Sequence, residues 1–113
     1  MDLNISTIDG TVAITLARRF DSDSAPGIET ELKKIVEQRP PSVLFDLSQT
    51  EYIASAGLRV LLSTTRSIMK AGGTVALSSL SPQVRQVFEI AGFTKIFTIC
   101  GSRDEALHLL RKK

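Results

Sequence analysis

The chain has 113 residues, of which 42% are hydrophobic and 23% are charged, and its formal net charge is +2. This length and composition suit one compact domain and exclude a disordered chain. Aromatic residues make up 5% of the sequence and tryptophan is absent, which argues against the basic, aromatic-lined surfaces that bind nucleic acids directly.

One cysteine, Cys100, and one histidine, His108, limit the chemistry that the chain can carry. A single cysteine forms no intrachain disulfide and no cysteine-type metal cluster. The N-terminus lacks a charged segment followed by an apolar one, so we expect no signal peptide. No apolar run approaches the roughly 20 residues that span a bilayer. We therefore expect a cytoplasmic protein with no membrane span, no metal site and no cofactor.

The first two predicted strands form a hairpin. Within "LNISTIDGTVAITL", residues 3–16, apolar and polar side chains alternate on both sides of Asp9-Gly10. A tight hairpin turn needs positive φ angles, which glycine adopts readily. The segment therefore predicts two antiparallel strands with one face exposed to water.

A helix and a buried strand are predicted next. Asp23 or Ser24 is a candidate helix cap, and Pro26 is compatible with a first helical turn. The apolar stripe of this helix is Ile28, Leu32, Ile35 and Val36. Pro40-Pro41 ends the helix, and the nearly continuous apolar run "SVLFDL" is typical of a strand buried on both faces.

The rest of the chain alternates between helical and strand patterns. An apolar stripe at helical spacing begins at Leu58 and stops at Gly72-Gly73. "TVALSS" predicts a strand, Ser81-Pro82 starts a third helix, "KIFTI" predicts the last strand, and Ser102 caps a final helix. The predicted order is β-β-α-β-α-β-α-β-α, which indicates a single α/β domain over residues 1–113 with a mixed, largely parallel sheet.

Ser55, within "EYIASAGLRVLL", has three interpretations. As a helix N-cap, its hydroxyl would accept a backbone N–H and stabilise the helix by about 1 kcal/mol. As a nucleophile it would need a base, but His108 is the one histidine, and only Gly57 matches the glycine pair of a hydrolase elbow. As a switch it would carry a phosphate at an exposed helix N-terminus, where the helix dipole favours negative charge. Gly57 itself would either let another backbone segment approach closely or relieve a tight turn from strand to helix.

Four stretches of the sequence together point to one known family. They are "FD" at 20–21, "VLFDLSQTEYIASAGLRVLL" at 43–62, "AGGTVALSSLSPQVRQVFEIAGF" at 71–93 and "DEAL" at 104–107. These stretches, which extend over nearly the whole chain, resemble the STAS-domain family, in particular the bacterial anti-sigma factor antagonists. The resemblance implies a sheet of four or five strands with about four helices packed mainly on one side.

The central stretch is the specific part of the resemblance. Family members typically read a hydrophobic residue, Asp, Leu and Ser, and a few residues later Ile, Asp, Ser, Ser, Gly and Leu. The first serine of that second motif is phosphorylated by a partner kinase, and by position it is Ser55. The resemblance thus implies a protein that binds a GHKL-type serine-kinase anti-sigma factor while unphosphorylated, which frees a sigma factor. Phosphorylation ends the complex, a serine phosphatase reverses it, and the antagonist itself has no catalytic residue.

The chain departs from the family pattern on both sides of Ser55. Ala54 stands where the family usually has an acid, which removes a negative charge beside the site. Ala56 stands where the family usually has a second hydroxyl, which removes an alternative acceptor of the phosphate. Ser55 is therefore the expected target of modification in this loop, and Ala54, Ala56, Gly57 and Leu58 are expected to belong to the partner-binding surface around it.

Three charged residues complete the expected partner surface. Asp21 matches a family acid that lies beside the phosphorylated loop and helps to contact the kinase; it is alternatively a loop residue or a cap. Asp46 closes the third predicted strand, where its carboxylate is expected mainly to bond nearby loop N–H groups at the edge of the site. Arg59, one turn beyond Ser55, is either a partner contact or a solvated surface charge.

Two other functions stay open on the sequence. One is a STAS protein-interaction module in a non-sigma signalling, secretion or transporter-accessory complex. The presence of Ser55 favours the switched antagonist, whereas the absence of the usual acid at Ala54 is compatible with this alternative. The other is a serine hydrolase or nucleotide-using enzyme, which the sequence disfavours because it lacks a Walker-type phosphate loop and a plausible general base.

Overall fold

The computed structural model describes residues 3–111, which form one mixed sheet, one two-stranded sheet and four α-helices. The strands are β1 (Asn4–Ile8), β2 (Thr11–Thr15), β3 (Arg19–Phe20), β4 (Ser42–Asp46), β5 (Tyr52–Ile53), β6 (Thr74–Ser78) and β7 (Ile99–Cys100). The helices are α1 (Ala25–Glu37), α2 (Ser55–Lys70), α3 (Pro82–Ile90) and α4 (Arg103–Arg111), with a 3₁₀ helix at Phe93–Lys95. The α/β class and the predicted order of the main elements are confirmed.

The main sheet has the strand order β1-β2-β4-β6-β7. β1 and β2 pair antiparallel, and the other neighbours pair parallel. The predicted hairpin turn is present, because Asp9 and Gly10 both adopt positive φ angles, of 50° and 84°. The carboxyl ends of β2, β4 and β6 consequently lie at one edge of the sheet.

Helices cover the two faces of this sheet unequally. Along β4, Val43 and Phe45 point into the core formed with α1, α2 and α3, whereas Leu44 points into a smaller cluster. That smaller cluster contains Ala106 and Leu110 of α4. Three helices therefore pack on one face and α4 on the other, which agrees with the predicted packing mainly on one side.

Two short strands form a second sheet that the sequence did not predict. Arg19 pairs with Tyr52 and Phe20 with Ile53, in parallel register. Phe20 and Ile53 are buried, while Arg19 and Tyr52 are exposed, so the sheet has one core face and one solvent face. This small sheet places the loop after β3 directly beside the start of α2.

Several local predictions are corrected. The segment "KIFTI", residues 95–99, is not one strand. It starts with Lys95 at the end of the 3₁₀ helix, and the Phe97 ring packs against the rings of Phe88 and Phe93. Only its last residue, Ile99, belongs to a strand, β7. The expected single exposed face is wrong for both strands, because residues 4–7 of β1 are all exposed, whereas β2 pairs with β4 and contributes to both core clusters. Ser24 occupies the N-cap position of α1 without a capping hydrogen bond.

The caps of the last two helices follow the sequence. The Ser81 hydroxyl accepts the Val84 N–H at 3.2 Å, and the Ser102 hydroxyl accepts the Glu105 N–H at 3.1 Å. Both bonds satisfy backbone donors that a helix start leaves without an intrahelical partner. These two caps are therefore confirmed.

Candidate functional site

Ser55 is the first residue of α2 and not its cap. The N-cap is Ala54, whose extended backbone (φ −100°, ψ 173°) leads into the helix. The first helical hydrogen bond joins the Leu58 N–H to the Ala54 carbonyl at 3.0 Å. Among residues 3–111 no side chain caps this helix, and its first turn carries no acid. The N-cap interpretation of Ser55 is therefore wrong, because the helix begins at Ser55 itself, one residue earlier than that interpretation requires.

The Ser55 side chain is exposed to solvent at this helix start. Within the part of the chain that the structure describes, its hydroxyl makes no hydrogen bond to another residue. The N–H groups of the first helical turn point outward at the positive end of the helix dipole. The junction between the end of β5 and the first turn of α2, residues 53–58, is called the Ser55 corner here. This corner can therefore accept added negative charge next to Ser55.

Gly57 fixes the position of this corner. A β-carbon at Gly57 would lie 2.5 Å from the Phe20 carbonyl oxygen and 2.9 Å from the Phe20 Cγ atom. The same carbonyl oxygen accepts the Ala54 N–H at 2.9 Å. The predicted close backbone approach at Gly57 is thus present, and the segment that makes it is β3. Gly57 and Leu58 are both buried, so the structure gives them a packing role beneath the exposed Ser55.

Asp21 organises the loop that follows β3. Its Oδ1 atom accepts the N–H groups of Asp23 and Ser24, each at 3.1 Å, and its Oδ2 atom lies 3.4 Å from the Arg19 Nε atom. The hydrogen bond from the Ser24 N–H, helped by the Asp23 N–H and Arg19 and opposed by partial burial, holds the pKa of the Asp21 carboxyl below its ordinary value. Asp21 therefore remains charged at neutral pH and shapes a loop beside α2.

The first turns of α2 and α1 border an open cavity of about 260 Å³. Ala56 and Arg59 line it from α2, and Ser22 and Pro26 line it from the loop and from α1. Arg59 is exposed and makes no ion pair with another described residue. The structure thus brings these two α2 residues together with the loop that Asp21 organises.

Asp46 has a different environment from the Ser55 corner. It is 5% exposed, and its Oδ1 atom accepts the Ser48 N–H at 2.9 Å, as its predicted loop-bonding role requires. Its Oδ2 atom accepts a hydrogen bond from the Arg103 Nη1 atom at 2.9 Å. These contacts tie the end of β4 to the start of α4, and neither of them reaches Ser55.

Two charged contacts near the site escaped sequence reasoning. Arg103 lies 57 positions from Asp46 and is separated from it by three strands, two α-helices and the 3₁₀ helix, so nothing local signalled their pairing. The Arg19 guanidinium carbon lies 4.8 Å from the centroid of the Tyr52 ring. That contact depends on the β3–β5 pairing, and two-residue strands carry no periodicity that a sequence pattern reveals.

Within residues 3–111 no three His, Cys, Asp or Glu side chains are grouped so that they could hold a metal ion. None of the described helices reaches the combination of length and hydropathy that crossing a bilayer requires.

The chain belongs to the STAS domain family, whose sequence profile matches residues 2–106. Among its relatives, the protein named "putative anti-sigma factor antagonist BtrV" of Bordetella bronchiseptica is 39% identical over 106 residues, which cover 94% of this chain and 91% of that protein. The anti-sigma-B factor antagonist of Bacillus subtilis is 26% identical over 92% of this chain and 94% of its own length. The crystal structure of an anti-sigma factor antagonist from Mycobacterium paratuberculosis superposes with a TM-score of 0.89 at 27% identity, covering 96% of this chain and 92% of that one.

Proposed function

We propose that this chain is an anti-sigma factor antagonist that is switched by phosphorylation of Ser55. In its unphosphorylated form it binds a GHKL-type serine-kinase anti-sigma factor in the cytoplasm, and that binding releases a sigma factor. The kinase then transfers a phosphate to Ser55 and the complex dissociates, and a serine phosphatase restores the binding form. The antagonist contributes no catalytic group and needs no cofactor.

The observation that carries this proposal is the exposed Ser55 hydroxyl at an uncapped helix start. A phosphate there brings about two negative charges close to the first N–H groups of α2, and the helix dipole favours those charges by about 0.3–1 kcal/mol. Two relatives that are named anti-sigma factor antagonists align with more than nine-tenths of this chain and support the same conclusion. Ala54 does not remove any of these features, because it leaves the hydroxyl exposed and the helix start open.

The partner surface in this proposal surrounds Ser55. Ala54, Ala56 and Arg59 present side chains from the start of α2, while Gly57 and Leu58 support them from below. Asp21 shapes the neighbouring loop, and Asp46 contributes through the packing of β4. A phosphate on Ser55 would place charge at the centre of this surface, where an uncharged hydroxyl suits close packing with a partner.

The experiment is to mix the purified chain with ATP and each GHKL-type kinase encoded in the same genome, and to follow intact mass, phosphopeptides and complex formation. We expect one kinase to bind the chain and to add one phosphate at Ser55, after which binding is lost. Ser55→Ala should bind without being modified, and Ser55→Asp should bind weakly. Equal binding by both variants and the wild type would contradict a switch at this residue, and no binding by any kinase would favour a STAS module of another pathway.

A further inference from the structure

We propose that Tyr52 is an anchor of the partner-binding surface, inserted into an apolar pocket of the anti-sigma factor and held ready for it by Arg19. This inference rests on the proposed function and extends the partner surface to a part of the chain that neither the sequence motif nor the relatives' names identify.

The first support is the exposure of an aromatic side chain where it is not expected. Tyr52 is 45% exposed, whereas the five phenylalanines are buried or partly buried. In the β3–β5 sheet its neighbour Ile53 points into the core, so the alternation of strand side chains turns Tyr52 outward. Tyrosine, with tryptophan and arginine, is one of the residue types enriched among the hot spots at the centre of protein interfaces.

The second support is that the ring is held in place before any partner arrives. Arg19 pairs with Tyr52 across the sheet, and its guanidinium lies over the ring. Asp21 in turn holds Arg19 through the 3.4 Å contact with its Nε atom, and the N–H groups of Asp23 and Ser24 hold Asp21. Ordering a side chain at an interface opposes binding, so a ring that is already ordered retains more of its contact energy.

The third support is continuity with Ser55. Tyr52 and Ala54 are two residues apart on one extended segment, so their side chains face the same side, and Ser55 follows at once. The Ala54 N–H bond to the Phe20 carbonyl fixes this segment against β3. One rigid surface therefore carries Arg19, Tyr52 and Ser55, and a protein that binds over Ser55 also contacts the Tyr52 ring.

Calorimetric titration of the cognate kinase with variants of the chain tests this inference. Tyr52→Ala should weaken binding about 30-fold, the loss that is typical of an interface hot spot. Tyr52→Phe keeps the ring and should stay within about threefold of the wild type, since it removes at most one hydrogen bond. Met69→Ala is the control, because Met69 is 57% exposed and lies near the other end of α2, about 21 Å along the helix axis from Ser55, so its truncation should leave the affinity unchanged.

A second measurement uses the fact that Tyr52 is the one tyrosine in the sequence. Fluorotyrosine incorporated into the chain gives a single fluorine resonance, which should shift or broaden when the unlabelled kinase is added. When Ser55 is phosphorylated, the resonance should move to the position of the free phosphorylated chain. Wild-type affinity for Tyr52→Ala, with weak binding by Ser55→Asp, would overturn the inference and leave the proposed function intact. Failure of every kinase to bind the wild type would overturn both.

Discussion

Gly57→Ala is the substitution whose cost follows most directly from the structure. The added methyl group would lie 2.5 Å from the Phe20 carbonyl oxygen, a separation that real Cβ atoms essentially never show. The oxygen cannot retreat freely, because it is bonded to the Ala54 N–H and belongs to β3. Either β3 or the first turn of α2 must move, and overpacking of this kind costs about 1–3 kcal/mol.

A smaller effect acts in the opposite direction. Alanine is favoured over glycine in a helix by up to about 1 kcal/mol, and by less near a helix end. The net loss for Gly57→Ala is therefore about 1–2 kcal/mol in the free energy of unfolding, or a fall of about 4–8 °C in Tm for a chain of this size. Urea titration and thermal melts followed by circular dichroism measure both quantities.

Gly27→Ala is the matched control for this experiment. Gly27 also lies in the first turn of its helix, α1, but a β-carbon there would meet nothing within 4 Å. We expect this variant to gain about 0.5 kcal/mol, because alanine restricts the unfolded chain without straining the fold. A Gly57→Ala variant as stable as Gly27→Ala would refute the reasoning, since it would show that the Phe20 contact is easily relieved.

Three further predictions follow from single contacts. Ala54→Asp should raise the free energy of unfolding by about 1 kcal/mol, seen as a higher urea midpoint, because the extended N-cap backbone suits an acid that bonds the open N–H groups of α2. Arg103→Leu should cost about 2 kcal/mol by the same assay, because it leaves the Asp46 carboxylate buried without its cation; the partial exposure of Arg103 keeps the loss below that of a fully buried pair. The lowered pKa of Asp21 stabilises the folded state at pH values above the ordinary carboxyl pKa of about 3.9, and this contribution is lost as the pH falls through the folded-state pKa. Asp21→Asn lacks this contribution, so its urea midpoint should decline less steeply below pH ~4 than that of the wild type.

The main elements were predictable because their signals are local. The β1–β2 hairpin depends on Asp9-Gly10 and on a period of two, and the helices depend on apolar stripes with glycine or proline at their ends. The 3₁₀ helix was missed because the clustering of Phe93 with Phe97, which is a tertiary contact, overrides the strand-like composition of "KIFTI". Extended structure survives only at the two residues of β7, where β6 supplies a pairing partner.

The candidate site was predictable in part. An exposed hydroxyl at Ser55 and a close backbone contact at Gly57 followed from residue type and from the position of the apolar stripe. The identity of the N-cap did not follow, because a shift of one residue in the helix start moves that role from Ser55 to Ala54. Contacts such as Arg19 with Tyr52 were hidden because they join residues 33 positions apart through strands too short to recognise.

The rigidity of the corner predicts how a charge at Ser55 acts. The Phe20 carbonyl oxygen bonds the residue before Ser55 and abuts Gly57, two residues after it, so both sides of the corner are held by one atom. The Ser55 side chain is exposed, so added charge displaces nothing from the core. Amide NMR shifts caused by Ser55→Asp should therefore be confined to the first turn of α2, β5 and the loop after β3. Comparable shifts in α4, on the opposite face of the sheet, would show that the charge refolds the domain, and the reasoning from a fixed corner would then be wrong.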